Sequence, residues 1–475
     1  MLRASSPGGV APRDPLSPGF LLGERPVASL EEYRALGGWR GLDKARSMAP
    51  AAVIAEISAS GLRGRGGAGF PTGTKWASVR EGGGRHHYAV CNGAEGEPAT
   101  FKDRALMRAN PYQVVEGLLI AAHAVEAIEA YLAIKASFTR ERDALTRALA
   151  EIGAEGLTDD IPVFLVTGPE EYLFGEEKAL LEVIEGNDPL PRWLPPYLHG
   201  LFVTDPQLGW AAHENEPGHD EGHEANPTLV NNVETLANVP HILAKGSAWF
   251  RTMGTAASPG TVVCTVVGDI AVPQVLEVEL GTPLQEVLEN CGGSLPGRSF
   301  QAVLSGVSNP VLTADQLSTP LSYEGMEAAG TGLGAAGFAV YDDTACMVEL
   351  ARSVSRFLYV ESCGQCVPCK FGTGEITEAL DRLRSGRGTN EDLDRIQSRL
   401  TIVTDGNRCF LPVEERRVIA SLLLAFPEDF ALHLEGPCPR PRELPIPKIV
   451  DLEVGKVVYD LKQATKRPDW TYAEG

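Results

Sequence analysis

The sequence has no long apolar run. Its longest apolar region, Val114 to Ile134, is broken by Glu116, His123, Glu126 and Glu129, whereas a membrane-crossing helix needs about 20 nearly unbroken apolar residues. No direct membrane insertion is expected. Met1 to Leu22 has no apolar core of leader length and is cut by prolines, so no secretory signal is expected either. Positive charge is scarce: 42 Lys and Arg stand against 63 Asp and Glu, a formal net charge of −21. Such a surface repels phosphate, which excludes nucleic acid as a general partner and electrostatic docking on anionic lipid. Cysteine is sparse and odd in number, nine in 475 residues, which argues against a secreted disulfide framework. These absences together predict a cytoplasmic protein, with a place at the periphery of a membrane complex left open.

What the chain has in excess is glycine and proline, 51 and 34 residues, hence many turns. A length of 475 residues predicts two to four domains at roughly 100–200 residues each. Residues 1–29, rich in Pro, Gly and Ser, read as a flexible arm. Strand and helix signals then alternate over residues 30–245, the pattern of an α/β layer domain. A helix is expected over Ala49 to Ser60, a strand over His87 to Cys91, and a long helix from Asn110 towards Ile134. Ala130 to Lys135 and Val163 to Thr167 also read as strands, which leaves the end of that helix open. Ala212 to Ala225 is an acidic insert without Lys or Arg; its His213, His219 and His223 are better read as loop residues than as metal ligands. Residues 250–340 carry short β-branched runs around one helix, a small α+β domain. Residues 342–435 take helical spacing through Met347, Leu350, Val354, Phe357 and Leu358, a helical bundle. For residues 436–475, the five prolines crowded between 437 and 447 predict an extended tail.

Three cysteines crowd into Cys363, Cys366 and Cys369, with a fourth candidate at Cys409, a C-x2-C-x2-C-x39-C spacing. Soft thiolates suit iron–sulfur clusters, and three-plus-one is the spacing of a [4Fe–4S] site. Structural zinc is the alternative, though zinc more often takes its cysteines two and two. A glycine-rich loop runs from Gly61 to Trp76, GLRGRGGAGFPTGTKW. Glycines let main-chain N–H groups approach a phosphate, and Arg63, Arg65 and Lys75 add positive charge. The helix before the loop contradicts an ordinary dinucleotide fingerprint, which needs a strand there. Glu95 and Glu97, and the pair Glu176 and Glu177, offer carboxylates to ribose hydroxyls or an amide; surface charge is the plain alternative. Asn231 and Asn232 can donate and accept toward a ring or phosphate edge, or one of them can simply cap the following helix. Cys91, Cys264, Cys291 and Cys346 read as buried thiols, and Cys438 has no evident partner.

These motifs resemble one family: the NADH-binding flavoprotein subunit of respiratory complex I and the related diaphorase subunits of NAD-reducing hydrogenases and formate dehydrogenases. The resemblance rests on Gly61 to Trp76, NGAEGEPATFKDR from Asn92, GEE from Gly175, PTLVNNVETLANV from Pro227, Gly268-Asp269, ESCGQCVPCKFGT from Glu361, and NRCFLP from Asn407. It implies a Rossmann-like FMN domain, a ubiquitin-like β-grasp (SLBB) domain and a bundle holding a [4Fe–4S] cluster. By position, Gly64, Arg65, Gly66, Gly67 and Lys75 resemble the family's phosphate- and nucleotide-contacting loop. Asn92, Glu95, Glu97, Tyr172, Glu176, Glu177, Asn231, Asn232 and Thr235 resemble its flavin and nicotinamide contacts, with Glu95 and Glu177 orienting the nicotinamide. Phe70 resembles an aromatic that stacks on adenine, and Cys363, Cys366, Cys369 and Cys409 resemble the cluster ligands. The implied activity passes electrons between NAD(H) and iron–sulfur partners by way of FMN and the cluster. The implied partners are a [2Fe–2S] thioredoxin-like subunit and a larger multi-cluster subunit. Three positions depart from the family: Ala94 where Asp is usual, Lys178 where Thr is usual, and Ser78 where a second aromatic is common. A paralogue that binds flavin and cluster but exchanges electrons only with proteins, or serves a structural role, is the second reading. A zinc-held interaction module without flavin is the third.

Overall fold

The computed structural model describes residues 19–84, 86–203 and 225–473. The first sheet holds four strands, β1 (His87–Gly93), β2 (Ala127–Lys135), β3 (Val163–Gly168) and β4 (Thr228–Asn232), all parallel, in the order β3-β2-β1-β4. Its two central strands are mostly apolar because both faces are covered. Ala89, Cys91, Leu132 and Ile134 join one core with the helices Pro50–Ser60, Pro111–Ala124 and Val233–Lys245. Tyr88, Val90, Tyr131 and Ala133 join a second core with Phe174, Leu180 and Leu181. The helices Pro111–Ala124 and Val233–Lys245 approach so closely that a Cβ on Gly117 would stand 2.1 Å from the Leu236 carbonyl oxygen.

The second sheet has five strands, β5 (Thr261–Gly268), β6 (Gln274–Glu279), β7 (Phe300–Ser305), β8 (Leu312–Thr313) and β9 (Gly337–Asp342), in the order β6-β5-β9-β7-β8. Only the β5–β9 pair is parallel. The helix Leu284–Asn290 buries Leu284, Val287 and Leu288 against it. Five helices follow: Met347–Glu361, Val367–Arg384, Asn390–Ile402, Leu411–Ala425 and Pro427–Glu435. No described helix is long and apolar enough to cross a membrane.

Three expectations change. The long helix from Asn110 stops at Ala124, and the same apolar stretch continues as β2 after Glu126 turns with φ 56°. Of the expected arm, residues 1–18 lie outside the described residues; beyond them Leu21 is 1% exposed, accepts from Gln113 Nε2 at 2.8 Å and donates its N–H to Glu277 at 2.9 Å. The tail is extended only to Lys448, then forms a hairpin of β10 (Ile449–Glu453) and β11 (Lys456–Tyr459) turned at Gly455, φ 77°. The acidic insert, with its three histidines, lies outside the described residues as far as residue 224.

Candidate functional site

Strand β1 connects onward to β2 on one side while β4 lies on its other side, so the chain reverses direction across the sheet between β1 and β4. The carboxyl ends of strands at such a point form the usual ligand crevice of an open α/β sheet. In register there, Cys91 faces Asn231 and Asn92 faces Asn232. The glycine-rich loop packs onto this end. Gly64 N–H donates to the Phe70 carbonyl at 2.8 Å, Thr72 N–H to Leu62 at 2.9 Å, and Arg65 N–H to Thr235 Oγ1 at 2.8 Å. A Cβ on Gly66 would touch Asn232 Cβ at 3.0 Å. Gly67 has φ 127°, and nothing lies within 4 Å of where its Cβ would stand. This bare strip of main chain is the kind of cradle that a phosphate-bearing ligand fills.

Arg65 departs from the expectation of a phosphate contact. It is 2% exposed, and its guanidinium donates to the carbonyls of Arg63, Pro259 and Thr261 and to the Tyr323 hydroxyl. All of its donors are used inside the protein, so the side chain pins the loop to the second sheet. Lys75 Nζ pairs with Glu177 at 2.7 Å, both partly exposed. Phe70 is 52% exposed at the loop's end. Ser78 is exposed and donates to the Thr74 carbonyl.

Beneath the crevice lies a buried ion cluster that motif reading did not single out. Lys102 Nζ is 2.7 Å from Asp103, 3.0 Å from Glu234 and 3.0 Å from Asn232 Oδ1, and Asn232 Nδ2 donates to Asp103 at 2.6 Å. Burial opposes the Lys102 charge, but its carboxylate neighbours more than restore it. Its sequence signal is the run Lys102-Asp103-Arg104 that closes the motif begun at Asn92. Asn231 Oδ1 accepts from Trp76 Nε1 at 2.7 Å. Asn92 Nδ2 donates to the Gly175 carbonyl at 2.8 Å, and Asn92 Oδ1 accepts from Ala94 N–H at 3.2 Å.

The acids take distinct posts. Glu95 accepts the N–H groups of Asp103 and Arg104 at 3.2 and 3.3 Å, capping the helix Lys102–Ala109. Burial first, then Asp103, pushes its carboxyl up. Glu97 accepts from Val307 N–H at 3.1 Å and Ser308 Oγ at 2.7 Å, tying the motif to the second sheet's side; burial raises it too. Glu176 caps the helix Glu177–Ile184 through the N–H groups of Lys178 and Ala179, and burial pushes it up to about 7. Lys178 turns away from the crevice and donates to the Arg408 carbonyl, next to Cys409. Tyr172 N–H donates to Glu361 at 3.0 Å and its hydroxyl to Glu414 at 2.9 Å.

The four predicted cysteines line one cavity, with Leu173, Ser362 and Arg408 between them. Cys363 and Cys366 lead into the helix Val367–Arg384, Cys369 lies in its first turn, and Cys409 stands just before the helix Leu411–Ala425. Two helix starts therefore direct their positive ends to the sulfurs, a setting that favours thiolates and an anionic cluster. Burial pushes Cys369 up to about 12 and raises Cys363 and Cys409 as well. Binding of a metal centre would release their protons and hold the sulfurs as thiolates. Four converging sulfur donors fit an iron–sulfur cluster, and the open strip over Gly67 at the strand ends fits a flavin phosphate.

A switch-point crevice with a glycine cradle, beside a four-sulfur cavity, defines a two-centre electron-transfer protein. Residues 57–241 match the Nuo51 FMN-binding domain, and residues 349–433 match the NADH-ubiquinone oxidoreductase-F iron-sulfur binding region. The chain is 37% identical to the second NADH-quinone oxidoreductase F-type subunit of Rhizobium meliloti (strain 1021), over 86% of this chain and 94% of that one. It is 35% identical to NADP-reducing hydrogenase subunit HndC of Solidesulfovibrio fructosivorans, over 86% and 82%. A crystal structure of NAD+-reducing [NiFe]-hydrogenase in the air-oxidized state superposes with a TM-score of 0.72 at 30% identity, covering 86% of this chain and 67% of that chain. The chain belongs to the family of NADH-quinone oxidoreductase F-type subunits and their hydrogenase counterparts, NADH-dependent oxidoreductases that carry FMN and a [4Fe–4S] cluster.

Proposed function

We propose that the chain passes electrons between NAD(H) and iron–sulfur partner subunits, and that the segment Tyr172–Glu177 joins its two centres. That segment carries the reading. Its Leu173 lines the cysteine cavity, Gly175 accepts from Asn92 at the strand ends, and Glu177 pairs with Lys75 beside the glycine loop. One short stretch of chain thus touches both sites. FMN held in the crevice would supply hydride exchange with a nicotinamide and the one-electron exchange that a cluster requires.

The residues position and shield. The N–H groups about Gly66 and Gly67 would hold the flavin phosphate, and Asn92, Asn231 and Asn232 would hold polar edges at the strand ends. Thr235 and Arg65 fix the loop behind them. Glu95, Glu97 and Tyr172 hold the walls of the pocket through their bonds to helix Lys102–Ala109, to Ser308 and to Glu414. Phe70 offers its exposed ring to adenine, and Glu177 and Lys75 present the charged rim to the nicotinamide end. Cys363, Cys366, Cys369 and Cys409 hold the cluster. Exposed Val367, Phe371 and Phe410, 64%, 67% and 46% accessible, flank those sulfurs, an apolar patch suited to a docking iron–sulfur subunit. A [2Fe–2S] thioredoxin-like subunit and a larger multi-cluster subunit are the proposed partners, on the cytoplasmic side of their complex. The strand order around a parallel β5–β9 pair, with one helix crossing between β6 and β7, supports a β-grasp (SLBB) reading of residues 250–340. It fits between an α/β domain of 30–245 and a bundle of 342–435.

The test is direct. The chain, purified anaerobically with FMN and full iron, should reduce ferricyanide with NADH. A flavin-loaded, iron-replete protein that neither oxidises NADH nor reduces NAD+ would sink the nicotinamide half of the reading and leave the protein-to-protein electron carrier.

A further inference from the structure

Three residues that no motif linked meet at one point. Cys346 precedes the helix Met347–Glu361, His433 lies in the helix Pro427–Glu435, and Cys438 opens the tail. Their ligand atoms all lie within 4.8 Å of one another. Cys346 Sγ is 3.4 Å from His433 Nε2. A tetrahedral zinc with a sulfur at about 2.3 Å and a nitrogen at about 2.0–2.1 Å separates those two atoms by about 3.6 Å. The far side of the imidazole is already fixed: His433 Nδ1 lies 2.6 Å from the Asp429 carbonyl. As donor to that oxygen it leaves Nε2 as the lone-pair nitrogen facing the thiols, the usual outer support of a metal-binding histidine. Asp429 is not itself a candidate, because its carboxylate accepts from Met347 N–H and pairs with Arg440. Cys346 and His433 are fully buried and Cys438 partly exposed.

We infer that Cys346, His433 and Cys438 form a second metal site, separate from the four-cysteine cavity, that takes a zinc-class divalent cation. Two thiolates and one imidazole are a borderline-soft donor set suited to zinc, and three protein ligands leave one position for water. The metal staples the start of the first bundle helix to the last one and to the root of the tail. The site does no redox chemistry and requires no proton beyond the two thiol protons released on binding.

The test uses tag-free full-length chain carrying FMN and its cluster, incubated with zinc, desalted and analysed for both metals. About one zinc per chain is expected beside about four irons, and X-ray absorption at the zinc edge should show sulfur and nitrogen in a two-to-one ratio. His433→Gln and Cys438→Ser should each drop zinc below about 0.2 per chain while iron and flavin content, which report folding, stay at the parent level. Iron-replete protein without zinc, zinc retained in both variants, or a Cys346–Cys438 disulfide seen by mass would each overturn the assignment.

Discussion

Replacing Lys466 by Met tests how the tail is held. Lys466 Nζ lies 2.9 Å from both oxygens of Glu361, and neither side chain is exposed to solvent. Glu361 also accepts from Tyr172 N–H at 3.0 Å and Gln463 Nε2 at 3.0 Å. Burial pushes its carboxyl up, but Lys466 and then Lys448 overcome this and hold it below its ordinary value. Removing the ammonium strands a buried carboxylate, a loss of about 3–5 kcal/mol. The tail's local opening should therefore rise by roughly 10²- to 10⁴-fold, read as hydrogen exchange over residues 449–468. The sign with pH follows. Without Lys466, burial wins and the folded carboxyl rises above its unfolded value, so the variant's deficit grows as pH increases above about 4.3. Because Glu361 stands two residues before Cys363, the variant should also lose cluster colour faster to a chelator. Adding Glu361→Gln should recover most of the loss, since a neutral amide needs no counter-charge. Exchange within about threefold of the parent, or a double variant no better than the single, would refute the reasoning.

Arg65→Lys replaces a planar fork that serves three carbonyls and a hydroxyl with a point charge; FMN binding should weaken at least about tenfold by fluorescence titration, and an unchanged affinity would deny the loop-pinning role. Lys178→Thr removes a cation beside Cys409 and should shift the cluster midpoint negative by roughly tens of millivolts in a redox titration; no shift would mean its charge is screened from the cluster. His241, whose ring centroid lies 4.8 Å from that of Phe20 in an edge-on pair, is held by burial and then Lys245 down to about 3. Its unfolded form takes a proton below about 6.5 while the folded form does not, so stability is lost as pH falls through that range. His241→Gln should fall less in Tm between about pH 7.5 and 5.5 than the parent; parallel falls would sink the assignment.

The motifs were legible because each depends on short spacing. Three cysteines within seven residues and a loop of clustered glycines announce themselves without any fold. What escaped the sequence lay in tertiary direction. The stretch from Asn110 to Ile134 is mostly apolar on both sides of its break because a buried helix and a buried parallel strand demand the same residues, and the break falls at Glu126, whose left-handed turn has no side-chain signature. The tail's run of prolines ends at Pro447, with Pro468 alone further on, and the hairpin after that run was announced only by Gly455. Arg65 reads as a ligand contact beside so many glycines, yet its fork is spent on carbonyls nearly 200 residues away in sequence. Glu95 and Glu176 read as ligand acids, but short-range geometry makes each a helix cap as well. Cys438 meets His433 five residues back but Cys346 only across 92 residues, a distance over which no local pattern speaks.

The seam between the two sheets is stitched by buried polar bonds: Arg65 to Thr261, Phe101 N–H to Thr265 Oγ1 at 2.9 Å, Val263 N–H to Glu234 at 2.8 Å, and Glu97 to Ser308. A fragment cut after residue 245 would strip Arg65 of Pro259, Thr261 and Tyr323, and Glu234 of the Val263 N–H. The nucleotide half is thus no portable cassette, and grafting or trimming it must carry strand β5 and the loop after β7 along.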